Sequence, residues 1–152
     1  MYRGGNILKN YRLCLAAFSL VVVAMALACA PVAKTDVPVS VTCDELSKQK
    51  TVVRDVDVQA GGNVIVTLCS NKTTGFSWVE KAQLSDPKVL EQLTHNFIAP
   101  KDTCGMVGVP GNEVWTIKAL APGKCTVYLE YSQPWTGGAK ASWTFKLNVN
   151  VK

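Results

Sequence analysis

One histidine, six cysteines and a scatter of hydroxyl and amide side chains are the groups in this 152-residue sequence that could do chemistry. His95 stands alone, and no Cys-x-x-Cys spacing accompanies it, so no metal site is expected; the imidazole reads as a solvated surface group. No Ser or Cys sits in a nucleophile elbow, and Asp86 with Glu91 reads as a solvated face, not an acid–base pair. "GMVGVPG" places Gly105, Gly108 and Gly111 three apart, but a strand pattern, "NEVWTI", follows where a phosphate cradle needs a helix. Neither catalysis nor a cofactor is expected. What remains is recognition chemistry in "SNKTTGFSW", Ser70 to Trp78. Four of its first six residues carry hydroxyl or amide side chains that can bond nearby backbone, and Gly75 can take a positive φ, so the turn is expected to be stiff.

The residues that position such a turn begin after an export signal. Arg3, Lys9 and Arg12 precede an apolar run, Leu13 to Leu27, that closes in small residues, so residues 1–28 read as a signal peptide. Cys29 follows "ALA", a pattern resembling a bacterial lipoprotein signal in which that Cys carries the lipid; ordinary cleavage before Cys29 is the simpler alternative. Residues 29–42 read as a tether and 43–152 as the domain, placed in the cell envelope or outside the cell. The net charge of +5 falls to +2 once the three cations of the signal are removed, and the domain has no Lys/Arg cluster, so nucleic acid is excluded as a partner. Any membrane association is expected through the lipid alone. Cys43, Cys69, Cys104 and Cys125 remain as an even set in an oxidising compartment, with three disulfide pairings open.

From Thr51 onward the chain alternates with period two. Val64, Val66 and Leu68 share a face, as do Trp115, Ile117 and Ala119, then Val127, Leu129 and Tyr131, then Trp143 to Val151. Gly- and Pro-rich turns separate these runs, which predicts an all-β immunoglobulin-like sandwich of about seven to eight strands. One short helical turn is expected in "LSDPKVLEQL", capped by Ser85 or Asp86, with Pro87 first and Val89, Leu90 and Leu93 facing inward. Counting antiparallel reversals gathers three loops at one end: Asn71–Gly75, Gly105–Gly111 and Ser132–Gly138. Loops clustered on a rigid sandwich are where binding surfaces are built.

In this order, "NKTTGFSW", "GMVGVPGNEVW" and "QPWTGG" resemble the three loops of the chagasin family of cysteine-peptidase inhibitors, over roughly Val52 to Lys152. The resemblance implies an immunoglobulin-like fold whose loops enter or flank the cleft of papain-like peptidases. Asn71, Lys72, Thr73, Thr74 and Gly75 would form the central wedge; Gly105, Gly108 and Gly111 would lie along one side; Gln133, Pro134 and Trp135 would press on the other. Two departures stand out. Lys72 replaces the usual Pro, removing a φ restraint, and Gln133 replaces the usual Arg, removing a charged fork of donors.

The function implied is reversible, tight-binding inhibition of papain-family cysteine peptidases by a monomer. An immunoglobulin-like adhesion module of the cell envelope is the alternative. With Cys69 ending the strand that feeds the wedge and Cys104 just before the Gly-rich loop, a Cys69–Cys104 bond is expected, leaving Cys43 for Cys125. Trp135 reads equally as an exposed anchor or as a core residue folded over the sandwich end.

Overall fold

Alternating apolar residues in short runs cannot bury themselves on one sheet alone, and here they meet across two. The structure is a computed structural model that describes residues 35–101, 106 and 108–152; the signal segment, Cys29, Cys104 and Gly105 lie outside the described residues. Nine strands follow in order: β1 (Asp36–Val41), β2 (Thr51–Val58), β3 (Asn63–Ser70), β4 (Ser77–Trp78), β5 (Gln83–Leu84), β6 (Leu90–Ile98), β7 (Gly111–Ala119), β8 (Gly123–Ser132) and β9 (Trp143–Val151). One sheet has the order β1-β3-β7-β6 and the other β2-β9-β8-β4, with β5 also paired to β8. The sandwich is all-β, as its alternation predicts, and two of its strands are only two residues long.

The core is the set of inward rows. Val64, Val66 and Leu68 of β3 and Trp115 and Ile117 of β7 are fully buried, as are Val127 and Leu129 of β8 and Phe145 and Leu147 of β9. Each such side chain contributes roughly 1.5–3 kcal/mol by leaving water, so these rows dictate which face of each strand turns inward. Trp78 meets Trp115 edge to face at 6.5 Å, closing the core beneath the loops.

Strand β1 corrects the reading of residues 36–41 as tether. Val37, Val39 and Val41 alternate, with Val39 and Val41 buried, and β1 pairs in parallel with β3, Asp36 opposite Asn63 and Val41 opposite Leu68. Pro38 disguised the strand, but β1 is an edge, where a missing N–H is tolerated.

A short helix that the sequence did not announce follows β1. Helix α1 spans Cys43–Lys48, with Thr42 as N-cap accepting from the Glu45 amide, acidic Asp44 and Glu45 in its first turn and Lys48 in its last. At "LSDPKVLEQL" there is a single turn. Asp86 Oδ1 accepts from the Lys88 amide at 2.9 Å, the Val89 and Leu90 amides donate to the Asp86 carbonyl, and Leu90 then enters β6. Val89 and Leu90 are buried, but Leu93 is 48% exposed. The register of β6 on β7 shifts between Gln92 and Thr94, so Leu93 is the extra residue of a bulge and turns out of the core.

The disulfide is Cys43–Cys69, with the Cα atoms 5.2 Å apart, and not the expected Cys69–Cys104 with Cys43–Cys125. The reason is β1: its parallel register beside β3 delivers Cys43, two residues past Val41, next to Cys69, the residue after Leu68. Cys125 cannot reach. It lies six residues along β8 from Tyr131, about 20 Å at ~3.3 Å per residue, against the roughly 7 Å limit on Cα separation for a bridge. Its thiol is buried and free, donating to the Asp86 carbonyl and accepting from the Asp86 amide.

Candidate functional site

At the end of the sandwich where β3 and β8 finish and β7 begins, loop one turns on its own side chains. Asn71 caps a 3-10 turn over Lys72–Thr74: its Oδ1 accepts from the Thr73 amide at 3.2 Å and the Thr73 hydroxyl at 2.7 Å. The Thr74 hydroxyl donates to the Asn71 carbonyl at 2.6 Å. Gly75 ends the turn at φ +77, donating its amide to the Lys72 carbonyl. These are local side-chain-to-backbone bonds of the kind that Asn and Thr make in preference to strand or helix pairing. The loop is therefore ordered while Lys72, Thr73 and Thr74 stay exposed.

Beneath it stands an aromatic column. Tyr131 donates its hydroxyl to the Asn71 carbonyl at 3.3 Å and accepts the Asn71 amide at 2.9 Å, fixing the start of the loop to the end of β8. Phe76 stacks on Tyr131 at 5.5 Å, and Tyr131 stacks on Trp143 at 4.7 Å. Trp78 turns its Nε1 to the Cys69 carbonyl at 2.9 Å. Tyr131 was legible only as the last member of an inward row; a nearly buried phenol, however, must find a partner for its hydroxyl, and that partner is the loop.

Loop three closes on itself through Gln133. Its amide donates to the Ala139 carbonyl at 2.8 Å and its Oε1 accepts the Ala139 amide at 2.9 Å, while Lys140 Nζ donates to the carbonyls of Gln133 and Trp135. Where an Arg would point a charged fork outward, this Gln is turned back into its own loop. Pro134 and Trp135 are exposed at the tip, Trp135 at 49%.

Trp135 belongs wholly to neither of the two expected settings. Its ring lies against loop one: a Cβ on Gly75 would fall 2.7 Å from the ring's Cη2 atom. Half of the indole faces solvent and the rest covers a glycine that nothing larger could replace. Gly108 meets loop one at Asn71. Asn71 Nδ2 donates to the Gly108 carbonyl at 2.9 Å, and Gly108 is exposed at φ +81. Gly111 opens β7 under the Phe97 ring, 2.7 Å from where its Cβ would stand, so packing leaves no room for a side chain there. Lys72 extends to the same ring, its Nζ 4.5 Å from the Phe97 centroid.

Asn71, Lys72, Thr73, Thr74 and Gly75, with Gly108 on one side and Gln133, Pro134 and Trp135 on the other, thus form one continuous ridge. Small polar residues make its crest and Trp135 its flank. His95 corrects the sequence reading: it is not a solvated surface group but is mostly buried, stacked on Trp115 at 4.6 Å with Nε2 2.7 Å from Glu113 Oε2. Glu113 itself was missed, although it stands two residues before Trp115 in the same inward row. Among the described residues no group of three or more His, Cys, Asp or Glu side chains is placed to hold a metal ion.

Loop one is thus ordered by its own hydrogen bonds, with exposed small residues and a half-exposed Trp135 beside it, on a two-sheet sandwich. The sequence model of the chagasin family peptidase inhibitors, I42, matches residues 57–149. Chagasin of Trypanosoma cruzi is 34% identical over 95 residues, covering 62% of this chain and 86% of that protein. Amoebiasin-1 of Entamoeba histolytica is 29% identical over 97 residues, covering 64% and 89%. The crystal structure of the cysteine protease inhibitor EhICP2 from Entamoeba histolytica shares the fold at TM-score 0.60 and 20% identity, covering 77% of this chain and 97% of that one. The solution structure of amebosin does so at 0.51 and 26%, covering 76% and 98%. The chain belongs to the chagasin family of peptidase inhibitors, a family of inhibitors and not of enzymes.

Proposed function

We propose that this protein is a reversible, tight-binding inhibitor of papain-like cysteine peptidases that blocks the active-site cleft with its three loops, one copy to each peptidase. The observation that carries the reading is the mutual bracing of the loops: Asn71 bonds Gly108, and Trp135 lies on Gly75. A wedge that is already ordered loses little entropy on binding, and an exposed Trp at its flank is the kind of anchor that dominates interfaces. Asn71 to Gly75 sits deepest in the cleft, Gly108 and its neighbours along one wall, and Pro134 with Trp135 along the other. Titration of papain and a cathepsin L-like enzyme with the purified protein tests this. A dissociation constant of nanomolar order, equivalent to about −12 kcal/mol, is expected, with trypsin-type serine peptidases unaffected. Full papain activity at micromolar inhibitor contradicts it.

We further infer that the protein is exported and held at the cell envelope through lipid on Cys29, which the "ALAC" pattern supports. Expressed in a bacterium with its own leader, it should partition with membranes, and a Cys29→Ser variant should not.

A further inference from the structure

The inward row of β7 carries one charged side chain, and it is placed at the root of the wedge. Glu113 is 0% exposed. Its Oε1 accepts from the Ser70 hydroxyl at 2.7 Å and from the Trp78 amide at 3.1 Å, and its Oε2 faces His95 Nε2 at 2.7 Å. Ser70 is the last residue of β3 before loop one, and Trp78 ends β4 just after it. A single carboxylate oxygen therefore takes both the entry and the exit of the segment that forms the ridge. Burying a carboxylate is costly, and an apolar residue of similar volume commonly serves a core as well or better. An acid retained here, with both oxygens engaged, points to a task other than adding stability.

We propose, on the basis of the inhibitor reading, that Glu113 is a positioning residue that makes the wedge resist hydrolysis by the peptidase it enters. A peptidase cuts when its thiolate attacks a peptide carbonyl to give a thioester, the amine leaves with a proton, and water then releases the acid, so that one water is added across the bond. With Ser70 and Trp78 held to one oxygen, the new amine cannot leave the site. It stays at high effective concentration beside the thioester and re-forms the amide before water attacks. The clamp also resists drawing the turn into the extended form that cleavage requires. His95, stacked on Trp115, holds the second oxygen and so fixes the plane of the carboxylate.

The test incubates papain with an equimolar amount of the purified protein and follows both residual activity and the mass of the inhibitor over time. Glu113→Met keeps volume but removes both acceptors; Glu113→Gln keeps one carbonyl oxygen for Ser70 and Trp78; Ser70→Ala removes one arm and leaves the core carboxylate in place. Wild type and Glu113→Gln should remain intact and inhibitory. Glu113→Met, which loses the bonds to both Ser70 and Trp78, should inhibit at first and then be cut between Asn71 and Gly75 at least about tenfold faster than wild type. Ser70→Ala should show the same cleavage several-fold faster than wild type, and it decides the matter if Glu113→Met does not fold. A wild type that leaves papain active overturns the inhibitor reading and this proposal together. A wild type that inhibits, beside a Ser70→Ala that melts and persists as the wild type does, overturns this proposal alone.

Discussion

Gly75 and Trp135 show how two residues far apart in sequence come to depend on each other. Gly75 is constrained twice, by φ +77 and by the indole ring 2.7 Å from where a Cβ would stand. Gly75→Ala should therefore cost about 1–2 kcal/mol from the backbone strain alone and also push Trp135 off the ridge. Thermal denaturation reads the first effect and the dissociation constant for papain the second. Trp135→Ala should behave differently. With half the indole in solvent, the variant should melt close to the wild type while losing about 2 kcal/mol or more of peptidase binding. A large drop in melting temperature with unchanged binding would make Trp135 a structural residue. The types and spacing of these residues were legible in the sequence, because turn chemistry is local. The contact between them was not, since nothing in a linear chain shows that Trp135 must lie on Gly75. Glu113 and His95 were hidden for a related reason. His95 reads as a surface group and Glu113 carries no signal until the register of β6 on β7, with His95 opposite Trp115 and Phe97 opposite Glu113, brings their side chains within 2.7 Å.

Among the elements, β1 decides more than its six residues suggest. The long inward rows of β3, β7, β8 and β9 were readable because alternation survives wherever one face is buried. Strand β1 was not, because Pro38 and the small polar residues around it have the composition of a linker. Missing β1 entailed missing the disulfide, since only the parallel pairing with β3 sets Cys43 beside Cys69. The turn at Pro87 is present, but the residues after it pair with β7, and helix α1 went unread. The bond closes a loop with a sequence separation of 26 and fastens α1 to the strand that feeds the wedge. On chain-entropy grounds the Cys43→Ser, Cys69→Ser double variant should lose about 3.5 kcal/mol of stability in chemical denaturation. Reduced wild type should match it. Equal stability of oxidised and reduced protein would show that the bond constrains nothing.

On the scale of the whole sandwich, the end away from the three loops is tied by side-chain bonds between strands. Away from the loops, β2 and β9 run parallel, with Asn148 donating to Asp55, Asn150 to Asp57, and Lys152 Nζ 2.7 Å from Asp57 Oδ2. Hydrogen bonds from Lys152 and then Asn150 hold the Asp57 carboxyl below its ordinary value of 3.8. A lowered folded-state value means that this group's contribution is present above 3.8 and is lost as pH falls through the folded value. Because Asp57 is fully exposed, the effect should be small and should shrink in high salt, which acid titration of stability for Asp57→Asn against wild type can measure.

At the loop end, the proposed function puts the ridge from Asn71 to Gly75 in the active-site cleft of a papain-like peptidase. Binding of the protein to papain whose catalytic cysteine has been capped by an epoxide inhibitor that fills the cleft tests this most directly. Isothermal calorimetry should show nanomolar binding to the free enzyme and at least about a hundredfold weaker binding to the capped enzyme, a difference of about 2.7 kcal/mol. Equal affinity for both forms would mean that the ridge binds outside the cleft.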